Sequence, residues 1–160
     1  MLKEVFTPAV CAQCRLCCSF WRADLWEAPF LPENLVERWR KEGKKIEERP
    51  NGGWGFCYEF ATGDPEEIVY CPALDRERGC TLPPEEKPFE CSVWPLRVMR
   101  RDGRLVIGLY RDCPGAAGGN AGKLAALARG KLLPLFLDHA RRHPAAVRAF
   151  APEYDVVWEE

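Results

Sequence analysis

The sequence predicts an α+β protein: a small, cysteine-rich domain with short β-hairpins and a helical C-terminal segment. Three observations carry that expectation. The chain has 160 residues, room for one compact core but not for two full-sized ones, so residues 1–160 read as a single domain. Apolar residues recur with period two in some stretches and with helical spacing in others. Nine residues are cysteine, far more than packing alone explains. Charge is balanced, with 23 Lys and Arg against 24 Asp and Glu. That is the composition of a folded protein and gives no basic excess that would announce DNA or RNA.

The elements follow in order. Residues 9–20 read as a cysteine-rich loop, followed by an apolar collar of Phe20, Trp21, Leu25, Trp26, Phe30 and Leu31. Pro32 to Gly43 encloses a helix with proline in its first turn, Leu35, Val36 and Trp39 on one face, and glycine at its end. Trp54, Phe56, Tyr58 and Phe60 alternate with Gly55, Cys57, Glu59 and Ala61, which predicts a strand with an aromatic face and Cys57 on the other. The turn Thr62-Gly63-Asp64-Pro65 ends it, and Glu67-Ile68-Val69-Tyr70 is expected to pair back.

A second hairpin is better determined. Asp102-Gly103 is a strong two-residue turn signal between Leu96–Arg101 and Arg104–Tyr110. If Arg101 faces Arg104, then Val98 faces Ile107 and Leu96 faces Leu109, an apolar face suited to a core. Extending that register past Pro95 would set Ser92 opposite Cys113, beside Cys91. Residues 120–142 are helical in pattern, with Asn120 as a cap, Pro134 splitting the segment in two, and a short restart at Pro144.

The first cysteines, Cys11-Ala-Gln-Cys14-Arg-Leu-Cys17-Cys18, have two-residue spacers that let one loop wrap three sulfurs around an ion or cluster. Neighbouring side chains usually diverge, so Cys17 and Cys18 would more easily serve two sites, or one site and a packing role, than one tetrahedron. Disulfides fit poorly: the count is odd, and Met1 to Pro8 has an acidic residue and a proline where a secretory signal would run apolar, so the expected location is cytoplasmic. The apolar runs are too short for a membrane span. Loops this rich in proline and charge gain order when their thiolates share an ion, so the fold is expected to be metal-stabilised.

Later cysteines follow in Cys71-Pro72-Ala73-Leu74, Gly79-Cys80-Thr81-Leu82, Lys87-Pro88-Phe89-Glu90-Cys91-Ser92-Val93-Trp94-Pro95 and Cys113-Pro114-Gly115. In this order the motifs resemble the cysteine-cluster family named for its C-x-x-C-x-x-C-C signature and described as a zinc- or iron-chelating domain. The resemblance covers roughly residues 9–118, the expected metal-binding region, and leaves 119–160 as the helical segment. Lys87-Pro88 stands where the family usually has Arg-Pro, and Leu82-Pro83-Pro84 where Ile-Tyr is more usual; neither touches a ligand. The resemblance implies Cys11, Cys14, Cys17, Cys18, Cys71, Cys80, Cys91 and Cys113 as ligands, enough for two four-thiolate sites or for one with spare thiols. Cys57 lies outside the pattern and reads as a packed thiol or an extra ligand. The flagellin lysine N-methylases carry a similar cysteine pattern inside a longer chain, and the resemblance there implies an iron-sulfur centre and methyl transfer.

Cys71 and Cys113 are each followed by proline, as in the bacterial ferredoxin run where a remote Cys-Pro completes a cluster, and no second C-x-x-C pair follows as in zinc knuckles. The reading therefore favours an iron-sulfur cluster of 4Fe-4S type over zinc, with a redox or protein-modifying role. The alternatives are a structural zinc module that shows a surface to a protein or RNA partner, and a methyl-transfer enzyme. No catalytic residue can be singled out.

Three other features read more plainly. His139 and His143 have the spacing of metal ligands on a helix but sit where cations complement a helix C-terminus. Gly115 to Lys123 lacks the residues of a phosphate loop and reads as a connector. Arg97, Arg100, Arg101, Arg104 and Arg111 crowd one hairpin, either as a solvated edge or to offset the charge of a thiolate cluster or an anionic partner.

Overall fold

The structure is a computed structural model that describes residues 2, 5, 14–50, 52–117 and 120–160. It is mixed helix and strand, with short antiparallel sheets and helices towards the C-terminus. The chain divides into two compact units, one of Pro8–Ser92 and one built on Val93–Glu160. Residues 119–160 therefore share their unit with the Asp102-Gly103 hairpin. No helix among the described residues is long and apolar enough to cross a membrane.

The first unit is made of short pieces: β1 (Ser19–Trp21), α1 (Glu33–Lys41), β2 (Ile46–Glu48), β3 (Trp54–Phe56), β4 (Ile68–Tyr70), β5 (Leu74–Asp75) and β6 (Gly79–Cys80). Helix α1 forms where the spacing of Leu35, Val36 and Trp39 predicts, and all three are buried. The aromatic strand departs from expectation. Only Trp54–Phe56 is extended in a ladder, and its partner is Ile46–Glu48. Gly52 and Gly53, at φ of 85° and 78°, make the tight reversal that allows this pairing, in a conformation that side chains with a Cβ resist.

The segment expected to pair back, 67–70, instead runs antiparallel to β1, with Phe20 opposite Val69 and Trp21 opposite Ile68. Glu67 is occupied elsewhere: its carboxylate accepts hydrogen bonds from the Ala61 and Thr62 amides and the Thr62 hydroxyl, at 2.6 to 2.8 Å. It closes the turn on itself and leaves Ile68 to start the strand.

Phe20 and Val69 point into a core with Leu31, Leu35, Val36, Trp39, Phe56 and Tyr58. The aromatic rings run in a chain of tilted and edge-on contacts, Trp39 to Phe56 at 4.7 Å, Phe56 to Tyr58 at 6.5 Å and Tyr58 to Phe20 at 5.2 Å, the geometries that ring quadrupoles favour. The collar is thus only partly internal. Phe20 and Leu31 are buried, while Trp21 and Trp26 are exposed.

The short helix α2 (Phe89–Val93) leads into the second unit, whose elements are longer: β7 (Leu96–Arg101), β8 (Arg104–Tyr110), α3 (Asn120–Arg129), α4 (Leu133–Arg142), β9 (Arg148–Ala149) and β10 (Tyr154–Glu159). The hairpin has the register read from the sequence, with Leu96 opposite Leu109, Val98 opposite Ile107 and Arg101 opposite Arg104. Asp102 and Gly103 both take positive φ, 50° and 84°, as a type I′ turn requires. The sheet order is β10-β8-β7-β9, with β9 parallel to β7. Met99, Val106 and Tyr154 pack together in its core. Helix α3 packs against β8 and β10 and buries Leu124 and Ala128.

The ladder does not continue as the extended register supposed. One bond beyond Leu96, from the Tyr110 amide to the Pro95 carbonyl at 2.9 Å, is its last step. Residues 89–93 are helical, so Ser92 is not set opposite Cys113 as a strand partner. The helical segment breaks at Gly130 to Leu132, and Pro134 sits in the first turn of α4, where its missing amide costs no helical bond. The Asn120 carboxamide donates to the Gly115 carbonyl at 3.0 Å, and a short 3-10 turn restarts at Pro144.

Candidate metal centre

Short ladders and turns position Cys17, Cys18, Cys71 and Cys80 in the first unit. Cys18 and Cys71 extend the pairing of β1 with β4 by one step, with the Cys71 amide donating to the Cys18 carbonyl at 2.8 Å. After Cys71 the chain turns, with the Leu74 amide bonded to the Cys71 carbonyl at 2.9 Å. It then enters the β5–β6 hairpin, where Cys80 pairs with Leu74. Asp75 shapes that reversal by accepting the amides of Glu77 and Arg78, both at 2.8 Å. Cys91 lies on α2.

Cys17 and Cys18 lie in a single 3-10 turn entered through Arg15 at a φ of 56°. Their sulfurs are 4.0 Å apart. Neighbouring side chains diverge in a strand, but here the tight turn lets the two sulfurs approach each other. With metal-sulfur bonds of about 2.3 Å, two thiolates on one tetrahedral ion stand a little under 4 Å apart, so the pair is near that spacing.

Electrostatics tie further thiols to this pair. The Cys17 thiol is held protonated, first by its contact with the Cys18 sulfur and then by burial, with the Lys87 ammonium pulling the other way. Burial pushes Cys71 up to about 12, and the Cys80 and Cys17 sulfurs add to the rise. Cys91 is also raised well above its ordinary value, by burial first and then by Glu90, Cys17 and Cys71, again opposed by Lys87. Thiols that burial, and to a smaller degree one another's charge, keep from ionising are a donor set that a soft cation can discharge.

Tyr58 belongs to the same neighbourhood. Its ring is fixed between Phe20 and Phe56, and its hydroxyl oxygen is buried with no hydrogen-bond partner. That hydroxyl nonetheless sits near enough to the Cys71 sulfur to favour its thiolate. Burial, with Cys71, Cys91 and Cys18 adding to it, holds the phenol protonated. Sequence reasoning treated Tyr58 only as one rung of an aromatic face. The available signal was a polar tip in a row otherwise made of Trp and Phe, next to a cysteine-rich segment.

The donors are therefore of the right kind and partly gathered. Among the described residues, however, no group of three or more His, Cys, Asp or Glu side chains is close enough to hold a metal ion. Cys11, the first of the eight expected ligands, lies outside the described residues. Cys14 and Cys80 are exposed, whereas Cys17, Cys18, Cys71 and Cys91 are half-buried. Cys113 is buried and belongs to the second unit, where its carbonyl accepts the Ala116 amide at 2.9 Å. Cys57 lines a separate cleft of about 630 Å³, together with Trp39, Lys44, Lys45, Glu59 and Tyr70.

The remaining candidates stay apart from the thiols in role. The rings of His139 and His143 lie 5.1 Å apart in the last turn and at the cap of α4, the end that favours cationic groups. Arg101 and Arg104 both pair with Glu159, and Arg111 pairs with Asp155. These hairpin arginines join β7 and β8 to β10 by ion pairs. Arg100 donates to the Gly103 carbonyl at 2.7 Å, and Arg97 is buried. No family model, curated protein or solved structure matches the chain.

Proposed function

We propose that this protein is a cysteine-cluster metal-binding protein of the C-x-x-C-x-x-C-C kind. It holds iron, as an iron-sulfur cluster, or zinc through the thiolates of Cys14, Cys17, Cys18, Cys71, Cys80 and Cys91, with Cys11 and Cys113 completing the expected ligands. The observation that carries the reading is the convergence of the Cys17 and Cys18 sulfurs at 4.0 Å, in electrostatic contact with the thiols of Cys71 and Cys91. Thiolates of this kind bind both iron-sulfur clusters and zinc. The Cys-Pro pairs at 71 and 113 favour the cluster, and with it a redox or protein-modifying use.

Strictly anaerobic purification followed by metal and sulfide analysis tests the proposal. Brown protein with iron and acid-labile sulfide is the expected result. Colourless protein with stoichiometric zinc would select the structural zinc module. In support of that second reading, the outer face of the β1–β4 ladder shows Trp21, Ile68 and Tyr70 to solvent, a surface a partner could cover. Protein that takes up neither metal would end both readings.

A further inference from the structure

The balanced total charge hides an unequal division. Pro8–Ser92 has 11 Lys and Arg against 16 Asp and Glu, whereas Val93–Glu160 has 11 against 7, so the second unit is cationic by itself. Its carboxylates are also unevenly placed. Glu153, Asp155, Glu159 and Glu160 lie on or beside β10, where Glu159 holds Arg101 and Arg104 and Asp155 holds Arg111. The stretch from Cys113 to Pro152 has one carboxylate, Asp138, against six Lys and Arg. Asp138 pairs with Arg141 and Arg142. Lys123, Arg129, Arg141 and Arg142, on α3 and α4, are all exposed. At physiological salt, exposed charges interact over about 8 Å, so a ligand on these helices meets the local excess and not the total of −1.

We propose that the exposed side of α3 and α4 is a docking surface for the phosphate backbone of duplex DNA. Charge complementarity carries the assignment, because a cationic face on a unit with few counter-acids is the electrostatic footprint of phosphate binding. Other polyanions fit less well. A bilayer needs a continuous apolar face to bury, but the exposed large apolar residues of this unit, among those described, are Leu135 and Leu137, which stand two positions apart and look to different sides of α4. Single strands are held by exposed aromatic rings on which bases stack, and neither leucine offers one. Residues 121–143 contain no Ser, Thr, Asn, Gln or Tyr to read base edges or a ribose 2′-hydroxyl. Binding is therefore expected to depend on salt and not on sequence.

Fluorescence anisotropy of the full chain with labelled duplex DNA of two unrelated sequences, at several salt concentrations, tests the proposal. Both duplexes should bind alike, and more weakly as salt rises. Lys123→Gln/Arg129→Gln should weaken binding roughly 10-fold at low salt and make the log–log salt slope shallower by about 2. Lys44→Gln/Lys45→Gln removes the same charge from the first unit, where both ammonium groups pair with carboxylates, and should bind like wild type.

Equal weakening in the two double variants would mean that binding follows net charge, and the proposal falls. It falls too if wild-type protein binds no duplex DNA, or prefers duplex RNA, single strands or phosphatidylserine vesicles. Helical dichroism checks that each variant is folded. Should the Arg129 substitution disturb the fold, Lys123→Gln alone decides, with a slope shallower by about 1 expected and an unchanged slope overturning the assignment.

Discussion

The two units solve the problem of stability differently. In Val93–Glu160, strands of six and seven residues pair along their whole length and bury Met99, Val106 and Ile107 completely. Among the described residues of Pro8–Ser92, no strand exceeds three residues, and the apolar core includes a half-buried thiol, Cys71, packed against it. A regular sheet covered by a helix carries its backbone hydrogen bonds and its core together. A unit of two- and three-residue ladders has fewer ladder bonds and leans on its aromatic core, to which the cross-links of the proposed metal site would add.

The sharpest way to break this contrast is to remove the metal that we propose the first unit binds. Thiolate sites can contribute on the order of 10 kcal/mol, and that binding energy is folding energy. Chelation under reducing conditions should abolish amide-exchange protection at Phe20 and Val69 while leaving it at Met99 and Val106, a hydrogen-bonded pair of the β7–β8 ladder. Equal loss in both units, or none in either, would show that the units do not differ as described.

Core truncation comes next. Phe56 is fully buried at the centre of the aromatic chain, so Phe56→Ala should cost about 3 to 5 kcal/mol and reduce metal loading with it. Met99→Ala should cost about 2 to 5 kcal/mol in denaturant melts yet leave metal stoichiometry unchanged. Should Met99→Ala lower loading as much as Phe56→Ala, the thiol site would depend on the sheet and the contrast would weaken.

A smaller effect sharpens the account of the sheet. A Cβ at Gly108 would lie 2.4 Å from Met99 Cε and 2.8 Å from Tyr154 Cβ. The methionine can move aside, but the Tyr154 Cβ is fixed to its strand. Gly108→Ala should therefore destabilise by about 1 to 3 kcal/mol, again without loss of metal. A neutral result would mean that β10 can move away from β8.

The smallest effect concerns the Glu67 turn. The Thr62 hydroxyl first, then the Ala61 and Thr62 amides and Arg22, hold the Glu67 carboxyl below its usual value of 4.5. Its contribution is therefore present above that value and lost as pH falls through the lower, folded one. Exchange of the Ala61 and Thr62 amides should quicken over that acidic interval. In Glu67→Gln it should already be fast at neutral pH, with only a slight change in overall stability.

How far the sequence was legible differs between the same two units. The Asp102-Gly103 hairpin could be placed residue by residue, because a two-residue turn of known φ sets the register of everything attached to it. Helix α1 and the division of 120–142 into two helices were equally readable, although the break falls at Gly130 and Pro134 starts the second helix. In the first unit the aromatic alternation of 54–60 suggested one long strand paired with 67–70. The chain uses only Trp54–Phe56 and pairs it with Ile46–Glu48, a segment whose own alternation is too weak to signal a strand.

By itself, the sequence determined which residues could do chemistry: soft cysteine thiols at spacings suited to one ion or cluster, and a hairpin whose register needed no distant contact. Only the tertiary structure decided which of them meet. Local turn chemistry acts between neighbours and can be read along the chain. The continuation of β1 into Cys18 and of β4 into Cys71 depends on pairing between residues about fifty positions apart. Periodicity carries no record of such contacts, because they arise where several short elements, each too weak to stand alone, bury a common core.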